Sequence, residues 1–164
     1  MTIRWSLLFL LSLSVLLALL LDIYPLPLEY RLLRPQFTLL VVVYWLLVLP
    51  QSASMLGLLA LSLVQDMLLA APLGQHALML LPVAWLCLRS YRRVRHFSRW
   101  QEVFWVGLLM VIALLMSYWV QSLSGIEFSS AHLFLPALAS AIFWPFIVLV
   151  LDGLRRRYRI SREV

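Results

Sequence analysis

Charge is scarce in this chain. Asp, Glu and Arg make up 12% of its residues, against roughly 25% charged residues in an ordinary soluble domain. Lysine is missing altogether, so all 13 basic residues are arginine. So little charge excludes a water-soluble fold. Cysteine is nearly absent too: with Cys87 alone, no intramolecular disulfide and no cysteine-based metal site can form. Only five glycines are present, and there is no phosphate-cradling Gly-rich loop, no Gly-x-Ser-x-Gly and no His-Glu-x-x-His. Intramembrane hydrolases and polymerases need paired acids, a Ser/His pair or a metal held within the bundle, and this sequence offers almost none of these. No catalytic residue, metal ligand or cofactor is assigned, and the chain is read as a non-enzyme.

What is abundant is apolar. Hydrophobic residues form 64% of the chain and mean hydropathy is +0.97. The expected fold class is all-α: a polytopic membrane protein of about six transmembrane helices forming a single domain, residues 1–164. A crossing needs about 20 apolar residues at 1.5 Å each. The stretches free of Asp, Glu and Arg are 5–21, 35–65, 67–88, 103–126 and 128–151. The first follows Arg4 and reads as an uncleaved span, since Leu19, Leu20 and Leu21 stand where a cleavage site would need small residues. The second would be about 46 Å long as one helix, too long for a single crossing. Pro50-Gln51-Ser52-Ala53-Ser54 breaks it into a hairpin, Pro50 stopping one helix and Ser52 or Ser54 capping the next. Spans are thus expected near 4–21, 35–49, 53–69, 73–89, 102–123 and 133–152. Pro35 suits the first turn of the second, and Ser129 or Ser130 can cap the sixth.

Arginine orients the spans, because positively charged loops stay in the cytoplasm. Arg89, Arg92, Arg93, Arg95 and Arg99 form a basic loop after span four, and Arg155, Arg156, Arg157, Arg159 and Arg162 a basic tail after span six. Two spans separate the clusters, so both fall on one side. Counting back puts both termini in the cytoplasm and Arg31 and Arg34 outside. A single span or re-entrant hairpin over 35–65 would flip the N-terminal half. The charge of +6 and pI near 10.2 would suggest nucleic acid for a soluble protein; here they follow from topology, and no nucleic acid is expected. The basic loop and tail, Arg89, Arg92, Arg93, Arg95, Arg155, Arg156 and Arg157 above all, could contact anionic lipid or an acidic partner. Trp5, Tyr24, Tyr30, Trp85, Tyr91, Trp100 and Tyr158 near span ends fit an interfacial aromatic belt.

An ionisable group inside a span is by default a site hypothesis. Asp66, with Gln65 beside it, falls in the outer half of span three. It either makes a buried polar contact to a neighbouring helix, partner or ligand, or lies near the headgroups fixing the turn at Ala71-Pro72. His76 and His132 could complete a two-His, one-carboxylate metal site only if three spans converged; no metal is expected. His96 lies among arginines. Ala53-x-x-x-Gly57 and Ala137-x-x-x-Ala141 carry small residues at helix-packing spacing, suited to packing within the bundle or to a partner's helix. Tyr44, Trp45 and Trp144 are candidate packing or partner anchors. Pro82, Pro136 and Pro145 would kink spans four and six.

Taken in order, Leu33-Arg34-Pro35-Gln36-Phe37, Tyr44-Trp45, Leu49-Pro50, Gln65-Asp66-Met67, Pro72-Leu73-Gly74, Arg99-Trp100-Gln101 and Phe143-Trp144-Pro145 resemble MreD, the bacterial rod shape-determining membrane protein family, especially its proteobacterial branch. Gln65 departs from the apolar residue that relatives often carry. The resemblance implies a non-enzymatic membrane scaffold of the elongasome in the bacterial inner membrane, supporting lateral peptidoglycan synthesis and rod cell shape. The implied partner is the bitopic protein MreC, and through it MreB, RodA and a class B penicillin-binding protein. MreD-like proteins also look similar to the substrate-binding subunits of energy-coupling-factor transporters, which keeps open a small-molecule- or lipid-binding alternative around Asp66, Gln65 and His76.

Overall fold

The computed structural model of the chain describes residues 2–25, 27, 33–123 and 131–157, without the side chains of 2–6, 52 and 131–133. Trp5's ring, Tyr30, Tyr158, Arg31, Arg159, Arg162, Ser129, Ser130 and the His132 ring lie outside the described residues. The described elements are six α-helices: α1 (Thr2–Ile23), α2 (Phe37–Val48), α3 (Met55–Leu68), α4 (Gln75–Val94), α5 (Arg99–Leu123) and α6 (Ala131–Arg157). No strand occurs among the described residues.

The helix ends follow local chemistry. Pro50 opens a single 3-10 turn, Pro50–Ser52, that stops α2. Of the two serines expected to cap the next helix, Ser54 does so, its Oγ accepting from the Gly57 N–H at 3.2 Å. Between α3 and α4 the chain reverses through Ala70, at φ 50°, and Gly74, at φ 91°, a left-handed conformation that a side chain would strain. Pro35 lies two residues ahead of α2 and not in its first turn; its carbonyl accepts from the Phe37 N–H.

The largest departure from expectation is at the basic loop. α4 runs on to Val94 and α5 begins at Arg99, so Arg89, Arg92 and Arg93 are helical and only residues 95–98 connect the two helices. Arginine is a good helix former, and cations in a last turn complement the helix dipole. The extension also leaves Trp85 midway along α4 instead of near its end.

α2 is the centre. Every side chain from Thr38 to Val48 is buried, and α2 packs on α1, α4 and α6. Around it α3 lies on α4, and α5 bridges α4 and α6. The outer helices turn apolar residues outward: Leu56, Met67, Phe104, Leu138, Ile142 and Leu149 are exposed, while α3 buries Ser62, Gln65 and Asp66. Polar inside and apolar outside is the arrangement suited to lipid, where backbone and side-chain polar groups must find partners within the protein. α5 and the described part of α6 are long and apolar enough to cross a bilayer; α2, α3 and the Leu7–Ile23 part of α1 are shorter apolar stretches.

Candidate functional site

At the end of the bundle where α3 meets α4, Asp66 is 1% exposed. Its Oδ2 accepts from the Gly74 N–H at 2.7 Å, and its Oδ1 accepts from the His76 N–H at 3.0 Å and stands 2.6 Å from His76 Nδ1. The carboxylate therefore seals the turn and caps α4, whose own N-cap, Gly74, has no side chain to offer. Gln65 is buried beside it. The neighbouring Gln75 reaches α5, its Nε2 donating to Ser117 Oγ at 2.9 Å. Among the described residues, no three His, Cys, Asp or Glu side chains group as metal ligands.

The same end holds a second carboxylate that sequence reasoning passed over. Asp22, near the end of α1, accepts from the N–H groups of Phe37 at 3.1 Å and Thr38 at 2.9 Å, the first two donors of α2. The next donor outward, the Gln36 N–H, goes to Ser140 Oγ on α6 at 3.0 Å. The signal for Asp22 was the start of α2 itself: Pro35-Gln36-Phe37 contains no Ser, Thr, Asp or Asn to serve as a local cap.

The opposite, arginine-rich end is tied by Asp152 on α6. Its Oδ1 accepts from the Tyr44 hydroxyl at 2.7 Å and lies 3.2 Å from Arg155 Nη2. Tyr44 and Trp45 both face inward, at 2% and 5% exposure, with their rings edge to face at 5.4 Å. Trp45 Nε1 donates to Ser14 Oγ on α1 at 2.9 Å. Trp144 is buried as well. All three aromatics thus pack within this chain. Arg155 parts company with the other tail arginines: it is buried against Asp152, whereas Arg156 and Arg157 are exposed. Arg89, Arg92, Arg93 and Arg95 are exposed too, with the Arg92 guanidinium 5.7 Å above the Tyr91 ring.

The two small-residue pairs differ. Ala137 and Ala141 are buried on α6, where a Cβ on Gly107 of α5 would lie 3.4 Å from Ala141 Cβ; they let these helices close on each other. With Gly107 they also line an apolar groove of about 650 Å³ between α5 and α6. Ala53 and Gly57 line a groove of about 440 Å³ between α1, α2 and α3, floored by Trp45 and Leu46 and walled by Leu16 and Leu61. A cavity of about 340 Å³ lies at the arginine-rich end. Gln65, Asp66 and His76 line none of these.

The sequence profile of the family described as rod shape-determining protein MreD matches residues 3–153. The chain belongs to the MreD family. The rod shape-determining protein MreD of Haemophilus influenzae (strain ATCC 51907 / DSM 11121 / KW20 / Rd) is 29% identical to it over 143 residues, covering 87% of this chain and 88% of that one. No solved structure matches. MreD proteins are membrane proteins of the shape-determining system and are not a known enzyme family. For this MreD-family chain, the acids that sequence reasoning found and missed are helix-end fasteners, and both small-residue pairs border apolar grooves, one at Ala53 and Gly57 and one at Ala137 and Ala141.

Proposed function

We propose that this chain is a non-enzymatic, six-span scaffold of the bacterial inner membrane with both termini cytoplasmic, and that it holds the single span of MreC in the groove between α1 and α3. Through MreC it meets MreB, RodA and a class B penicillin-binding protein, and so supports lateral peptidoglycan synthesis and rod shape.

The observation that carries this reading is the groove. α1 packs on α2 and α3 packs on α4, leaving an apolar trough between them with Ala53 and Gly57 along its wall. Small residues let a further helix approach closely, which is how helices associate where the hydrophobic effect gives no drive. Gly57 is at the surface, and a Cβ there would meet only Ser54, so its smallness serves nothing inside this chain.

The test is co-expression with MreC from the same source, solubilisation in mild detergent and size exclusion. A complex of fixed stoichiometry that Gly57→Leu and Ala53→Leu abolish supports the proposal. A complex indifferent to both substitutions removes the groove from it, and a well-folded chain that never retains MreC removes the scaffold reading.

A further inference from the structure

Outward-facing apolar surface is uneven around the bundle. On α5 it runs from Trp100 to Leu123 and on α6 from Phe134 to Leu154, all four exposed, about 34 Å and about 30 Å of helix. The hairpin of α3 and α4 is shorter. After the Ser54 cap, α3 has 14 residues, about 21 Å. On α4, Leu78, Trp85, Arg89 and Arg92 are exposed along one face at helical spacing. The first charge on that face, Arg89, lies about 21 Å from Gln75, where α4 begins. Hydrogen bonds fix the relative levels at the other end. Gln75 Nε2 meets Ser117 Oγ, and α5 goes on from Ser117 for about 9 Å to Leu123. The Gln36 N–H meets Ser140 Oγ, and α6 goes on from Ser140 for about 13 Å to Ala131. The starts of α2 and α4 therefore lie well short of the ends of α5 and α6.

A bilayer presents roughly 30 Å of hydrocarbon, about 9 Å more than this hairpin covers. Tilting cannot make up the difference, because a tilted helix reaches less far along the membrane normal. Snorkelling helps little at Arg89: side chains lean toward a helix's N-terminus, which for α4 is toward the middle of the bilayer, where a charge is costly. A hairpin tip sunk in hydrocarbon would strand the carbonyls that close α3, which a helix end leaves unmet. What is left to adjust is the lipid. We propose that the α3–α4 side of this chain thins the surrounding bilayer to about 21 Å of hydrocarbon while the α5–α6 side meets it at full thickness. The protein is then a one-sided membrane-thinning device, and its partner on that side is the phospholipid itself. Thinning also returns Trp85 to within about 6 Å of a headgroup boundary at Arg89, near the level that interfacial tryptophan favours. It presupposes only that the chain spans the membrane, the part of the proposed function that does not involve MreC.

The test places single spin labels on the full chain in a Cys87→Ala background, reconstituted in dioleoylphosphatidylcholine vesicles. Depth is read from the competition between oxygen and a water-soluble nickel chelate for each label. The positions are Trp85→Cys, Leu73→Cys and Ile142→Cys, all exposed. The Trp85 label should lie about 6 Å below the nearer headgroup boundary, four residues from Arg89. The Leu73 label, at the hairpin tip, should be open to the chelate. The Ile142 label, well inside the apolar stretch of α6, should lie about 12 Å deep. R89L moves the first charge of the α4 face to Arg92 and should carry the Trp85 label about 4–5 Å deeper. A Trp85 label at about 15 Å, the middle of an unthinned bilayer, would overturn the inference. So would a Leu73 label shielded from the chelate, which puts the tip in hydrocarbon, or a Trp85 label that R89L does not move. Chelate reaching Ile142 as freely as Leu73 would instead remove the membrane-spanning reading, and the thinning with it.

Discussion

Asp22 and Asp66 hold equivalent stations in successive helical hairpins. Each sits in the last turn of the first helix and accepts two N–H groups at the start of the second: Phe37 and Thr38 for Asp22, Gly74 and His76 for Asp66. Neither second helix has a side-chain cap of its own. The cap comes from the helix before it, so one residue both satisfies helix-end donors and locks the hairpin.

Asp22→Ala and Asp66→Ala should each destabilise the folded chain by about 2 kcal/mol, the sum of a lost cap and buried donors left unmet. The Asn variants keep one acceptor oxygen and should lose about half as much. Cys87 is the sole cysteine and is fully buried, so labelling by a thiol-reactive dye during heating reports unfolding directly. Unchanged midpoints in both Ala variants would refute the shared role.

Gly107 and Gly57 should respond oppositely to enlargement. Gly107→Leu drives a side chain into Ala141, 3.4 Å from where its Cβ would lie, and should lower stability by about 1–3 kcal/mol through overpacking. Gly57→Leu meets only Ser54 and should leave the same dye-monitored melt within about 0.5 kcal/mol of the parent.

Removing Asp152 should cost more than removing the Tyr44 hydroxyl. Tyr44→Phe deletes one hydrogen bond to a carboxylate, about 1.5 kcal/mol. Asp152→Ala deletes the same bond and also leaves Arg155 buried without its ion partner, about 3 kcal/mol or more. The order of the two melting midpoints tests this, and a reversed order would show that Arg155 finds another partner.

Much of the fold was legible because breakers are few and well placed. Pro50 and Ser54 mark the α2–α3 junction, and Pro72-Leu73-Gly74 the α3–α4 turn. The long apolar runs do the rest. What could not be read were pairings across the chain. Trp45 with Ser14, Tyr44 with Asp152 and Gln36 with Ser140 join residues far apart in sequence, and periodicity carries no information about them. Asp66 was conspicuous because it interrupts an apolar run. Asp22 was not, since it closes one, and a carboxylate at a span end looks solvated until the helix it caps is brought beside it. The extension of α4 through Arg92 and Arg93 was hidden for a related reason: charge marks the limit of an apolar run, and helices do not stop where apolarity does.

The arrangement of the helices can be tested by labelling from either side of the membrane. In a Cys87→Ala background, Arg93→Cys and Leu73→Cys place single thiols at opposite ends of α4, both at exposed positions. A membrane-impermeant maleimide applied to intact spheroplasts should label Leu73→Cys and spare Arg93→Cys, and permeabilisation should expose the second. The reverse pattern would invert the bundle and place the arginines outside.

The burial of α2 bears on how the protein is made. Its 12 residues reach only about 18 Å, short of the hydrocarbon thickness, and every side chain from Thr38 to Val48 is buried. Such a segment is emitted second by the ribosome yet has no complete surroundings until the last helix follows, since the Tyr44 hydroxyl waits for a carboxylate 108 residues downstream. Biogenesis therefore has to shelter a half-length helix through the synthesis of almost the entire chain. A nascent product cut before α6 is an open shell, and quality-control proteases should recognise it by the centre it leaves uncovered.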